Sequence, residues 1–433
     1  MRGLALRARE SFWFLPAVFG LAAIVLAEVL VTVDRMFATQ LGMLPLLGQT
    51  SADGARSIAT TIGTSMLTVA GTSFSITISV LATTSSTYGP RLVRNFMADR
   101  SNQFVLAMFT STFLYALLVG RAVTTPAEDR SEFVPTLAIH VAVLLAIVDV
   151  AVLVYFIHHI ASAVQITTLQ DRVQGDLVRV IDLTRPEDLP DGWTTDARTP
   201  AGVDRAVRAA TDGYVQQLDV DALVHLAVRE GLVADVVAMP GAHVARGDVL
   251  LRIDGRVTEH VASGVRAAFV LGVARTPTQD VRFALQQLTE VSIRGLASGS
   301  NDPYTSVSAL ELASVALIPL LRRGPAPAGR VDEDGRLRVV LHEPSTEELL
   351  RAVFDSVRQY GLDHPVVVLA ALVLADRLAP VATEPGPRTT LLRLVEELLA
   401  AYRAHGSDPV DVEAVERAGR GVLVELERAR ADR

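Results

Sequence analysis

Six hydroxyl side chains recur at helical spacing: Thr61, Ser65, Thr68, Thr72, Ser75 and Ser79, separated by four, three, four, three and four residues. This heptad-like spacing lays them along one face of a helix. In a bilayer, small hydroxyl residues let helices approach closely and hydrogen-bond across an interface, and they also suit the wall of a water-filled path. The spacing leaves both uses open: packing, within or between subunits, or lining a pore. Gly63 and Gly71 favour close approach without separating the two.

Three ionisable residues sit inside apolar runs: Glu28, His140 and Asp149. A charge at membrane depth is costly, which makes each a functional candidate. Counted from the cytoplasmic ends of their helices, Asp149 lies at ~18 Å, Glu28 at ~24 Å and His140 at ~31 Å. Two carboxylates and an imidazole in vertical series are chemistry for moving protons or a cation. The same residues also make a structural polar network, or take Glu28 to the outer headgroups. His158 and His159 are adjacent, so on a helix they point ~100° apart and do not readily share one metal; no metal site is expected. Farther along, Gln279, Asp280, Asn301 and Asp302 are candidates for a polar pocket, in competition with helix capping.

Several chemistries are excluded. The chain has no cysteine, and all 40 of its basic residues are arginine, which removes thiolate and Schiff-base chemistry and the lysine of a phosphate-binding loop. H-E-x-x-H, G-x-S-x-G and C-x-x-C are absent from the sequence, and Gly295-Leu-Ala-Ser298-Gly has the wrong spacing for a nucleophile elbow. No cofactor is expected, and a membrane-anchored enzyme ranks third among the readings. A net charge of −8 argues against nucleic acid as a partner.

These residues have to be positioned by long apolar elements. Half of the 433 residues are hydrophobic and 20% are charged, which excludes a disordered chain. The long apolar runs fall in the first 165 residues: Phe12 to Val33, about Ile58 to Thr83, Gln103 to Val123, and Val134 to Ala163. Each reaches the ~20 residues that cross a bilayer. The first is too long for a signal-peptide core and lacks a small-residue cleavage site, so it reads as an uncleaved anchor. Arginine bias sets the orientation. Arg2, Arg7 and Arg9 precede the first span, and Arg91, Arg94 and Arg100 fill the second loop. In the first loop, Arg35 and Arg56 are balanced by Asp34 and Asp53, and in the third Arg121 and Arg130 lie amid Glu128, Asp129 and Glu132. Both termini are therefore expected in the cytoplasm, with Phe12, Trp13, Tyr155 and Phe156 at the inner interface. Leu92, Val93, Phe96 and Met97 predict an interfacial elbow helix between spans two and three.

The expected fold is an α-helical membrane protein with a C-terminal cytoplasmic α+β region: a four-span domain over 1–165, a helical extension and linker over 166–204, a small β-rich unit over 205–272, and a mainly helical cytoplasmic domain with one hairpin over 273–433. Within the β-rich unit, Pro240-Gly241, Gly247-Asp248 and the apolar Val244, Val249, Leu251 and Ile253 resemble the barrel-sandwich hybrid of biotinyl and lipoyl domains. Without lysine, swinging-arm carriage is excluded. Thr276-Pro277-x-Gln279 reads as a capping box, Asp219 or Asp221 as one helix cap, Asp302-Pro303 as another, and Asp334-Gly335 as a hairpin turn.

The chain also carries SFWFLP at Ser11, GTSMLTVAGTSFSITISV at Gly63, YGPRLVRNFMADRSNQ at Tyr88, YFIHHIASAVQ at Tyr155, TPTQDVRFALQQL at Thr276 and GSNDPYTSV at Gly299. In this it resembles, over nearly its whole length, a bacterial family of predicted inner-membrane proteins known as a domain of unknown function (family 2254). The resemblance implies four transmembrane helices and a cytoplasmic domain, and it carries no catalytic residue. The leading functional reading is a homo-oligomeric channel or channel-like permease in the lipid bilayer, passing a small ion or solute, with the cytoplasmic domain assembling or gating it. The alternative is a non-transporting scaffold or sensor whose cytoplasmic domain binds a ligand or protein partner.

Overall fold

The computed structural model describes residues 13–41, 51–88, 100–124, 133–163, 165–406 and 408–431, and the chain divides into two compact units, Met1–Thr168 and Leu169–Arg433. The expected elbow helix at Leu92 to Met97 lies outside the described residues, as do Arg2, Arg7, Arg9, Phe12, Arg91, Arg94, Glu128, Asp129, Arg130 and Glu132.

In the first unit each expected span is a helix: α1 (Phe14–Leu41), α2 (Ala52–Tyr88), α3 (Arg100–Ala122) and α4 (Thr136–Ala163). All four are long and apolar enough to cross a membrane. Helix α3 packs against the other three, because its neighbours turn small side chains toward it. Ala23 and Ala27 do so on α1, and Ala52, Ala55 and Ala59 on α2, all buried. A Cβ on Gly120 of α3 would stand 3.3 Å from the Cβ of Ala59, so the approach of these helices depends on small residues, as in other membrane bundles. Two apolar clusters fill the bundle. One gathers around Tyr115, Val119 and Ile139, the other around Phe109, Val152 and Phe156.

The second unit opens with α5 (Ile166–Thr184), whose first residues precede the unit boundary. Then come β1 (Trp193–Thr194), β2 (Arg205–Arg208), β3 (Gly213–Leu218), α6 (Val220–Glu230), β4 (Ala234–Val236), β5 (His243–Val244), β6 (Val249–Ile253), α7 (Glu259–Ala268) and β7 (Phe269–Gly272). Helices α8 (Val281–Gly295) and α9 (Pro303–Arg322), the hairpin β8 (Gly329–Val331) and β9 (Leu337–Val340), and helices α10 (Thr346–Tyr360), α11 (Pro365–Leu378), α12 (Pro385–His405) and α13 (Pro409–Ala431) complete it. One sheet has the order β1-β8-β9-β4-β6-β2, antiparallel except where β4 meets β9, and a smaller antiparallel sheet has the order β5-β3-β7. They share a core in which Val236, Leu251 and Ile253 meet Val265 and Val339.

This is a mixed sheet region with helices. Beside the expected helix after Asp219, a second helix, α7, lies between strands, and the 329–340 hairpin joins the sheet by parallel pairing of Ala234 with Val339. A parallel neighbour from so far along the chain leaves no local pattern in the 205–272 segment. Elsewhere the local signals match the elements. Asp219 caps α6 and left-handed Gly231 ends it, Asp302 caps α9 with Pro303 in its first turn, and Gly335 turns the hairpin with positive φ.

Two expectations need correction. The helix predicted to open with the Thr276-Pro277-x-Gln279 box starts at Val281, with Asp280 as its cap. Gln279 is taken instead by the backbone of Leu218, donating to its carbonyl and accepting from its N–H. And long apolar helices are not confined to the first 165 residues, since α9 also has the length and composition of a span. More than half of its most apolar window is buried inside the second unit, between α8 and α11, which accounts for its composition as a core helix.

Candidate functional site

The six-hydroxyl row lies on the exposed face of α2: Thr61, Ser65, Thr68, Thr72, Ser75 and Ser79 are all exposed, while Ala59, Gly63, Met66, Ala70, Ser73 and Thr77 face inward. The row therefore does not pack within its own four-helix unit. Two of its threonines find acceptors on their own helix, Thr68 donating to the Thr64 carbonyl at 2.9 Å and Thr72 to the Thr68 carbonyl at 3.0 Å. A hydroxyl bonded back to its own helix can face lipid, protein or water.

The three intramembrane ionisable residues are not brought together. Glu28 pairs with Arg121 at 3.5 Å across the α1–α3 contact, both side chains well exposed. His140 donates from Nδ1 to the Thr136 carbonyl one turn back, at 2.7 Å. Asp149 follows it on α4 by nine residues, which is a rise of ~13.5 Å and a rotation of about half a turn, so the two lie on opposite faces. Asp149 is 1% exposed. It sits on α4 between Ala142 and Val152, members of the two apolar clusters, and faces the Thr112 hydroxyl of α3. Among the described residues, neither carboxylate oxygen, nor the Thr112 hydroxyl, closes a hydrogen bond of regular geometry. Of His158 and His159, the latter stacks on Tyr155 with ring centroids 5.7 Å apart.

One residue that sequence reasoning passed over organises this unit. Asp34, which the arginine distribution reads as a balancing loop charge, is 3% exposed, and its two carboxylate oxygens accept from the backbone N–H groups of Leu137 and Ala138, each at 3.0 Å. It thus caps α4 from the end of α1, while the Tyr115 hydroxyl donates to the Ala138 carbonyl at 2.9 Å. The only available signal is that α4 brings no acidic residue in its own first turn.

In the second unit, Gln279, Asp280, Asn301 and Asp302 divide between two places. Asp280 sits at the start of α8, where it accepts from the Phe283 N–H at 2.9 Å and pairs with Arg275 at 2.7 Å. Burial pushes its carboxyl up; the Phe283 bond and the Arg275 charge work against that shift. It packs so closely that a Cβ on Gly241, which has φ +92°, would fall 2.0 Å from Asp280 Oδ2. Asn301 and Asp302 lie beyond the other end of α8, ~22 Å along its axis. There Asp302 accepts from the Tyr304 and Thr305 N–H groups and from the Thr305 hydroxyl.

Gln279 alone of the four lines a cavity of about 610 Å³. The cavity is walled by the last turn of α5, the segment from Pro186 to Trp193, the start of α6, and strands β3 and β7. Glu343 stands in its wall, half-buried. Burial pushes its carboxyl up to about 7, and Arg185 only partly offsets this. Arg185 is itself 2% exposed and ties the end of α5 to the start of α10, donating to the Thr346 hydroxyl at 2.6 Å and to the Pro344 carbonyl at 2.5 Å. Neither Arg185 nor Glu343 has a sequence signal, because their partners are distant in the chain.

A family profile described as "Predicted membrane protein (DUF2254)" matches residues 9–376. Two uncharacterized proteins, one of Mycobacterium bovis and one of Mycobacterium tuberculosis strain H37Rv, are each 30% identical over 374 residues, covering 84% of this chain and 71% of theirs. No solved structure matches.

Proposed function

The chain belongs to the DUF2254 family of predicted membrane proteins, and from that premise we propose that it is a homo-oligomeric channel or channel-like permease for a small ion or solute. Subunits meet along the hydroxyl face of α2, and the C-terminal unit assembles or gates the path. In this reading the protein sits in the bacterial inner membrane with both termini in the cytoplasm, following the arginine distribution. The observation that carries it is the placement of all six hydroxyls on the exposed face of α2, while the small residues of that helix pack inward. The unit itself is filled by its two apolar clusters, so a polar path belongs between copies. Asp149, buried with only the Thr112 hydroxyl facing it among the described residues, is the residue in each copy best placed to hold a proton or a cation at membrane depth.

The test is conductance of the full-length protein in a planar lipid bilayer. Unitary currents that are lost in Thr72→Leu and altered in Asp149→Asn, with oligomer mass unchanged, support the reading. Silence across salts and voltages from folded, oligomeric protein contradicts it. A second reading, a non-transporting scaffold or sensor, is favoured by the Thr68 and Thr72 hydroxyls being satisfied by their own helix. It predicts that Thr72→Leu changes oligomer mass alone.

A further inference from the structure

We infer that the cavity lined by Trp193, Met239, Leu341 and Glu343 binds a small organic cation, an ammonium or guanidinium group on a flat apolar body, with Glu343 receiving the charged head. At about 610 Å³ the cavity has the size of a small-molecule site, and apolar side chains with a few convergent polar groups are the usual lining of one. Its polar groups differ in what they have left to offer. Gln279 is committed to the Leu218 backbone. Asp219 caps α6. Asp182 pairs with Arg323 at 2.7 Å, and Asp221 with Arg330 at 2.6 Å.

Glu343 is different. Among the described residues its carboxylate makes no hydrogen bond and no ion pair within 4 Å, and no arginine, lysine or histidine lines the cavity. A carboxylate held half out of water with no donor is unfavourable, and a ligand that brings a donor and a positive charge relieves it. The apolar wall selects the rest of the ligand. Trp193 lines the cavity, and the Arg330 guanidinium stacks over its ring at 4.7 Å from the centroid. An anion of the same shape meets Glu343 and the neighbouring aspartates and is rejected. The cavity wall includes Asp182 to Thr184, the last residues of the helix that follows α4 in sequence, so an occupant touches the segment leading from the membrane helices. The inference stands whether or not the membrane unit conducts.

The chain contains two tryptophans. Trp13→Phe therefore leaves Trp193 as the sole reporter in full-length protein in detergent. Phenethylamine and phenylguanidine are the probes, with phenylacetate as the matched anion. The expected result is a saturable change in Trp193 emission with both cations and none with phenylacetate. Binding should weaken about ten-fold or more in Glu343→Gln. It should also weaken in Val270→Phe, which narrows the cavity at an exposed wall position without entering the core. Circular dichroism confirms that each variant is folded. The inference is overturned if neither cation saturates by about 10 mM, if phenylacetate binds equally well, or if folded Glu343→Gln binds the cations as tightly as the parent.

Discussion

Both units secure helix ends with aspartates, but over very different chain distances. In the C-terminal unit Asp219, Asp280 and Asp302 each cap the helix that starts at the next residue. In the membrane unit Asp34 caps α4 by accepting from Leu137, a separation of 103 residues. The units also differ in their charged side chains. Arginine partners are plentiful in the C-terminal unit, where Arg275, Arg323, Arg330 and Arg338 each pair with an aspartate. In the membrane unit Asp149 is buried among apolar layers, facing the Thr112 hydroxyl, and closes no hydrogen bond of regular geometry among the described residues. A helix end at the edge of an apolar slab has less water to satisfy its N–H groups, so another helix must supply the acceptor. The same scarcity makes an unpartnered carboxyl there the sharper functional marker.

The largest effect expected from breaking this contrast lies in the C-terminal unit. Arg185→Ala removes the donor to Thr346 and Pro344 and leaves Glu343, Glu347 and Glu384 without its compensating charge. It should cost about 3 kcal/mol, as expected when one partner of a buried charged network is deleted, read as a fall in the thermal midpoint of the full-length protein by circular dichroism. An unchanged midpoint would show that the tie between α5 and α10 is dispensable.

Next in size is a pH effect at Glu343. Its carboxyl titrates at about 7 in the folded chain against an ordinary 4.5, so the folded state binds the proton more tightly. The associated stability is fully present below about pH 4.5 and is lost as pH rises through about 7. Glu343→Gln removes that dependence. The variant should match the parent at about pH 4.5 and exceed it by about 2 kcal/mol at about pH 8, allowing for partial exposure. Denaturant titrations at the two pH values check this, and a constant difference between them contradicts it.

Asp34→Ala comes third. Loss of the remote cap should cost about 1–2 kcal/mol, with Asp34→Asn recovering most of it, measured by unfolding in a graded detergent mixture. If alanine is neutral, the distant cap carries no stability and the contrast between units is only geometric. Glu28→Gln is the smallest. Its pair with Arg121 is exposed at both ends, so the change should fall below about 0.5 kcal/mol. A larger loss would make Glu28 a buried element of an assembled oligomer.

What the sequence made legible follows the same division. The four long apolar helices, a helix cap at Asp219 or Asp221, the cap at Asp302 and the Gly335 turn depend on neighbours within a few residues, and each is legible in the sequence. The hydroxyl spacing told that one face exists, but not that it points away from α3, because facing depends on which helices pack together. Gln279 was read as part of a capping box because its true partner, Leu218, is 61 residues away. Asp34, Arg185 and Glu343 were missed for the same reason. Their roles come from tertiary contacts that leave no periodic trace.

The central claim, that the hydroxyl face of α2 meets a second copy of the chain, can be tested directly because the chain contains no cysteine. Single substitutions Thr72→Cys on that face and Val25→Cys on the exposed face of α1 give two otherwise thiol-free proteins for cross-linking in membranes with a short bismaleimide. The account predicts covalent dimers from Thr72→Cys and few from Val25→Cys. Efficient cross-linking of Val25→Cys with none at Thr72→Cys would contradict it.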